Sequence, residues 1–164
     1  MKHRILNGIK TIEQKMNIII LYACESGSRG WGFSSPDSDY DVRFIYKRPR
    51  NYYLSINKEI DFLEFPIKDN LDINGWDIKK ALVLISKSNA TIFEWLQSPI
   101  IYKAYPSFKE TLLSLCKEYF SCRNSLMHYL GMANNTWELY GNQHIIKIKH
   151  YYYLESTEFS FIIN

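Results

Sequence analysis

Two aspartates next to a predicted strand are spaced for metal chemistry. Asp39 and Asp41 are separated by a single residue and precede the β-prone run of residues 42–46. Because successive side chains of a strand point to opposite faces, both carboxylates should lie on the same side. Two carboxylates held together repel each other unless a cation lies between them, and Mg²⁺ or Mn²⁺ prefers such oxygen ligands. The spacing therefore predicts a divalent-cation site.

A glycine–serine pair upstream of the aspartates supplies the second half of a candidate site. It follows the apolar, β-branched run of residues 17–24, which predicts a buried strand. A turn at Gly27 that opens a short helix at Ser28 would direct backbone N–H groups and a hydroxyl at phosphate oxygens. Arg29 adjoins this turn and could neutralise phosphate charge. Gly27, Ser28 and Arg29 are therefore the predicted nucleotide-binding residues.

The spacing of these residues does not match other known metal-binding or phosphate-binding motifs. Asp37, Asp39 and Asp41 imitate the start of a calcium-binding EF-hand loop, but Val42 and Arg48 occupy the positions that need glycine and glutamate. The glycines do not form the G-x-G-x-x-G spacing of a dinucleotide site, and no G-K-[ST] motif follows. A plain acidic turn is the remaining alternative, since aspartate, serine and proline favour turns.

Two blocks of the chain resemble a known family. Residues 25–46 read ESGSRGWGFSSPDSDYDVRFIY and resemble the DNA polymerase beta superfamily of nucleotidyltransferases. The second block, which reads LDINGWDIKKAL at residues 71–82 and continues with KSN at 87–89 and EWLQSPIIY at 94–102, is similar to the RNA repair pathway DNA polymerase beta family. The resemblance extends from about residue 17 to residue 153.

The resemblance implies an α/β (α+β) fold in which a small mixed sheet is flanked by helices. It also implies that three carboxylates hold two divalent ions, Mg²⁺ or Mn²⁺. A nucleoside triphosphate would donate its nucleotidyl group to an acceptor hydroxyl, with RNA in a repair context as the expected acceptor. Asp39 and Asp41 match the first two ligands.

The third carboxylate is open between two candidates. Asp72 lies between Leu71 and Ile73, the pattern of a carboxylate that points from a sheet into a site, and we take it as the third ligand. Asp61 has the same local pattern and would suit an antiparallel strand paired with residues 41–46. Asp77 is expected in the first turn of a helix, where the helix dipole favours a carboxylate.

Length and composition fit one compact unit, since 164 residues with 46% apolar content can supply a core. We expect a catalytic core at residues 1–105 and an incomplete C-terminal helical segment at 106–154. Residues 155–164 do not follow the family's pattern, which predicts a disordered or aberrant tail from a shortened reading frame. Apolar spacing predicts helices over residues 78–85, 91–97, 107–134 with a break at Ser121, and 143–154.

The remaining features bear on location and partners. The net charge of +3 and pI near 8.6 are compatible with a polyanionic substrate but do not establish one. Cys24, Cys116 and Cys122 lack C-x-x-C spacing, and no signal peptide or membrane span is visible, so we expect a reduced, cytoplasmic protein. Two alternatives stay open: an antitoxin-type enzyme that attaches AMP to a protein, and a nucleotide-binding remnant without turnover.

Overall fold

A five-stranded mixed sheet organises the part of the chain that the computed structural model describes, residues 1–56 and 60–140. Its strands are β1 (Ile19–Ser26), β2 (Tyr40–Lys47), β3 (Phe62–Glu64), β4 (Leu71–Asp77) and β5 (Ile101–Ala104). Their order across the sheet is β3-β4-β2-β1-β5. The β2 and β4 strands are parallel, whereas the other neighbouring pairs are antiparallel.

Helices lie on both sides of this sheet. They are α1 (Lys2–Met16), α2 (Gly27–Gly30), α3 (Arg50–Tyr53), α4 (Ile78–Ser86), α5 (Ala90–Gln97), α6 (Phe108–Tyr119) and α7 (Cys122–Tyr140). Among residues 1–56 and 60–140, no helix is long and apolar enough to cross a membrane. The predicted α+β fold is confirmed.

Each face of the sheet covers its own apolar core. On one face, Ile5 and Ile9 of α1 pack against Val42 and Phe44 of β2. On the other face, Ile45 packs in a cluster that includes residues of α4, α5 and α6. Because side chains alternate along a strand, Asp41 and Arg43 share the face of Ile45. The candidate site therefore lies at one end of the face that α4 and α5 cover.

Most elements that the sequence predicts near the site are confirmed. The strand predicted at 17–24, the turn into a short helix and the strand at 42–46 correspond to β1, α2 and β2. Helices predicted at 78–85 and 91–97 are α4 and α5, and the chain breaks between α6 and α7 around Ser121. The helix predicted at 143–154 and the tail at 155–164 lie outside the described residues. The division at residue 105 stays a prediction.

The strand pairing that would have suited the alternative ligand Asp61 is not observed. That alternative placed the strand around Asp61 beside residues 41–46, but β3 pairs with β4 instead. The partner of β2 on that side is β4, in parallel register. Residue spacing alone cannot distinguish these arrangements, because it does not show which strand lies beside a given short strand.

Candidate active site

Asp41 and Asp72 lie directly beside each other on neighbouring strands. The parallel register pairs them as Cα partners of β2 and β4, so their side chains leave the sheet on the same face. Arg43 holds both carboxylates, because its Nη2 atom is 3.1 Å from Asp41 Oδ1 and 2.7 Å from Asp72 Oδ2. The structure therefore brings together two of the three predicted carboxylates.

Asp39 immediately precedes β2 and is exposed. Burial raises the pKa of the Asp41 carboxyl above its ordinary value, and the Arg43 guanidinium opposes this rise. The charges of Asp72 and Asp39 raise that pKa further. Asp41 is thus close enough to both Asp39 and Asp72 to feel their charges.

The glycine–serine bend touches the acidic cluster. Gly27 has a φ of 60°, in the left-handed region that favours glycine. A Cβ atom at this position would lie 2.2 Å from Asp41 Oδ2. Only a residue without a side chain can bring its backbone this close to the carboxylate, so the bend and Asp41 form one surface. Ser28 follows at the start of the four-residue helix α2.

The Arg29 side chain binds the backbone segment that leads into β2. Its Nη2 atom donates to the Ser38 carbonyl at 2.7 Å, and its Nε atom donates to the Asp39 carbonyl at 3.1 Å. Its guanidinium also lies 4.0 Å from the centroid of the Tyr40 ring. Arg29 therefore fixes the segment that carries Asp39. Its direct contact with phosphate stays a prediction.

Glu25 is a residue that the sequence reading did not assign to the site. It is fully buried, and its Oε1 atom accepts a hydrogen bond from the Asp41 backbone N–H at 2.8 Å. The Tyr102 hydroxyl donates to its Oε2 atom. Burial raises the pKa of the Glu25 carboxyl, and the two hydrogen bonds oppose the rise. Glu25 thereby positions the Asp41 backbone from the opposite face of the sheet.

Replacing Tyr102 with phenylalanine should destabilise the protein, because a donor to the buried Glu25 carboxylate disappears. We expect the free energy of unfolding to fall by about 1–3 kcal/mol. Urea unfolding followed by circular dichroism measures this change. Tyr105→Phe is the matched control, since Tyr105 is 54% exposed and its variant should stay near the wild type. Equal stability of the two variants would contradict the role given to Tyr102.

Asp61 and Asp77 lie at the other end of β4. The Asp61 carbonyl accepts from the Asp77 backbone N–H at 2.8 Å, and its carboxylate pairs with Lys80 at 3.2 Å. Asp77 follows Asp72 by five residues, a separation of roughly 16 Å along a strand. Asp77 also caps α4 by accepting from the Lys79 backbone N–H, so it lies just before the first helical turn in which the sequence placed it. The geometry thus favours Asp72 over Asp61 as the partner of Asp41.

An open groove runs from the acidic cluster toward β3. Its volume is about 360 Å³. Asn74 lines it and also donates from Nδ2 to Asp72 Oδ1 at 2.9 Å, which helps to orient that carboxylate. Trp76 lines it too and stacks on Trp95 with ring centroids 3.8 Å apart. Polar and aromatic surfaces therefore meet beside the carboxylates, a combination suited to a nucleoside.

The donor atoms fit a divalent cation in chemical type. Carboxylate oxygens are the preferred ligands of Mg²⁺ and Mn²⁺. Within residues 1–56 and 60–140, no three His, Cys, Asp or Glu side chains are already arranged as a metal site. Arg43 supplies the positive charge between Asp41 and Asp72 in this arrangement.

The sheet order, the paired carboxylates and the glycine bend together define a polymerase-beta-like nucleotidyltransferase fold. The model of the RNA repair pathway DNA polymerase beta family matches residues 1–155, and the chain belongs to this family. It is also similar to "Uncharacterized protein YcgL" from Bacillus subtilis (strain 168), with 47% identity over 154 residues. That match covers 94% of this chain and 59% of the relative, so the chain spans about three fifths of the relative's length.

Proposed function

We propose that the protein transfers a nucleotidyl group from a nucleoside triphosphate to an acceptor hydroxyl in a metal-dependent reaction. One observation carries the proposal: Asp41 lies beside Asp72 on one side and against the Gly27 bend on the other. A triphosphate at the bend would be next to any cation held by the two carboxylates. Membership of the family supports this class of reaction.

In this proposal Asp39, Asp41 and Asp72 hold two Mg²⁺ or Mn²⁺ ions. When bound, such ions activate an attacking hydroxyl and neutralise the charge of the departing pyrophosphate. Gly27 lets the phosphates approach the carboxylates closely, and the Ser28 hydroxyl and backbone N–H groups contact their oxygens. Glu25 acts indirectly, because it fixes the backbone at Asp41, whereas Arg29 fixes the backbone at Asp39 and lies next to the bend that would bind the phosphates.

RNA is the acceptor that the family description favours, since the family is named for an RNA repair pathway. The groove beside Asp72 offers space and aromatic surface for a nucleoside of the acceptor, and the net charge of +3 is compatible with a polyanion. Transfer to RNA in a repair context is therefore the leading form of the proposal.

The pH dependence of transfer should follow Asp41. Its raised pKa means that the carboxyl keeps its proton at a higher pH than an ordinary aspartate, whose pKa is about 3.9. A protonated carboxyl cannot bind a cation, so activity should fall as the pH decreases through this raised range. Higher Mg²⁺ competes with the proton and should move the acidic limb of kcat/KM to lower pH. If the acidic limb of kcat/KM stayed at the same pH at every Mg²⁺ concentration, the role of Asp41 as a metal ligand would be contradicted.

The proposed function is tested by offering each α-labelled nucleoside triphosphate to the protein with Mg²⁺ and mixed cellular RNA and protein. The Asp39→Asn/Asp41→Asn double variant is the negative control, and Asp61→Asn controls for loss of an acidic residue outside the cluster. Label on RNA that requires Asp39 and Asp41 supports the proposal. Label on protein would indicate the AMP-attaching alternative, and triphosphate binding without pyrophosphate release would indicate a binding-only protein.

A further inference from the structure

Arg43 has an unusual position for a positively charged residue, because it occupies the centre of the acidic cluster. Its Nη2 atom contacts a carboxylate oxygen of Asp41 and one of Asp72. Its Nη1 atom is 3.3 Å from the carbonyl oxygens of Val42 and Asp72. Only 17% of its side chain is exposed. These contacts fix the guanidinium between the two strands.

The guanidinium and a divalent cation would share the same two carboxylates. Arg43 already contacts one oxygen of Asp41 and one of Asp72, so a cation held by both carboxylates would lie next to the guanidinium. Two positive groups cannot share so small a space without strong repulsion, since Coulomb repulsion between charges in contact is only partly screened near a protein surface. Binding of the cation therefore requires Arg43 to move.

The structure also offers a place for the displaced side chain. Arg43 already lines the groove together with Asn74 and Trp76. Rotation of its long side chain away from the carboxylates would leave the guanidinium in this groove, near the polar surface of Asn74. There it could pair with a phosphate, the anion that a planar guanidinium binds best.

We propose that Arg43 is an internal counter-cation that holds Asp41 and Asp72 together before a divalent cation binds and turns into the groove when the cation takes its place. This inference rests on the proposed function. Arg43 is then a positioning residue that competes with the metal. A permanent structural ion pair makes the opposite prediction, because removing it would disorganise the carboxylates and weaken metal binding.

Manganese binding separates the two accounts without any measurement of activity. Isothermal titration calorimetry with Mn²⁺ is performed on the wild type, Arg43→Gln, Arg43→Lys and Arg50→Gln. Competition predicts that Arg43→Gln binds Mn²⁺ roughly tenfold more tightly. Arg43→Lys keeps the charge but has a single nitrogen in place of Nη2, which contacts both carboxylates, and Nη1, which contacts the strand carbonyls, so it should bind roughly threefold more tightly. Arg50→Gln removes an equal charge from the exposed start of α3 and should match the wild type.

The outcomes distinguish failure of this inference from failure of the proposed function. Equal or weaker Mn²⁺ binding by Arg43→Gln and Arg43→Lys overturns the competition while leaving the metal site in place. Absence of Mn²⁺ binding in all four proteins overturns both proposals. If Arg43→Gln fails to fold, as circular dichroism would show, Arg43→Lys decides the question alone.

Nuclear magnetic resonance of the wild type gives a direct view of the displacement. The ¹⁵N signals of the Arg43 guanidinium, identified by their loss in Arg43→Lys, report its hydrogen bonds to the carboxylates. Saturation with Mg²⁺ should shift these signals and speed exchange of the Nη protons with water. Signals that do not change at saturating Mg²⁺ would overturn the proposal.

Discussion

Replacement of Asp41 with asparagine is expected to reduce nucleotidyl transfer by at least about 10³-fold, because the proposed metal ions lose a carboxylate ligand. Asparagine has nearly the same shape and no charge. Since burial raises the pKa of Asp41, a neutral group at this position should leave the protein folded. The transfer rate at saturating Mg²⁺ and the thermal unfolding midpoint measure the two effects.

Asp61→Asn is the matched control for this prediction. It removes the same functional group from an exposed aspartate that pairs with Lys80 at the other end of β4. Its transfer rate should stay close to that of the wild type. A rate for Asp41→Asn within about tenfold of the wild type would show that Asp41 does not bind the catalytic metal.

Replacement of Gly27 with alanine is expected to damage both the fold and the site. The φ of 60° is unfavourable for alanine, and its Cβ atom would lie 2.2 Å from Asp41 Oδ2. The backbone strain alone should lower the free energy of unfolding by about 1–3 kcal/mol. Displacement of the carboxylate should also lower the transfer rate on the order of 10²-fold. Urea unfolding and the transfer assay measure these two losses.

Gly32→Ala isolates the contribution of the contact with Asp41. Gly32 also has a left-handed backbone, with a φ of 81°, but nothing lies within 4 Å of a Cβ atom there. This variant should lose some stability and keep its transfer rate. If Gly27→Ala and Gly32→Ala lost activity equally, the close approach of the bend to Asp41 would have no catalytic importance.

The sequence predicted the local parts of the site because local patterns determine them. An apolar, β-branched run followed by Gly27 is sufficient to predict a strand and a turn, and the period of a strand relates Asp39 to Asp41. The choice of Asp72 over Asp61 depends on which strand lies beside β2. That is a long-range pairing, which one sequence does not encode in its spacing.

Glu25 and Arg43, which contact the aspartates of the site, were harder to predict because their contacts also depend on long-range pairing. Glu25 is the second-last residue of the buried strand β1, where a carboxylate is unusual, and this is the signal that could have identified it. Its partners, the Asp41 backbone and the Tyr102 hydroxyl, come from distant parts of the chain. Arg43 follows the strand period of the two aspartates, but only the parallel register shows that it also reaches Asp72.

Helix α1 shows a pattern that the sequence reading left unused. Ile5, Ile9 and Ile12 recur at helical spacing and are buried in the core on the side away from the carboxylates. This helix covers the face from which Glu25 supports Asp41. The helix therefore affects the site indirectly, because it packs against the sheet that carries the carboxylates.

The central claim is that Asp41 and Asp72 bind a divalent cation next to a triphosphate at the Gly27 bend. A crystal grown with Mn²⁺ and a non-hydrolysable nucleoside triphosphate analogue tests it directly through anomalous scattering. The account predicts an anomalous peak in contact with both carboxylates and with the phosphates. A peak elsewhere on the protein, with Arg43 still bridging Asp41 and Asp72, would contradict it.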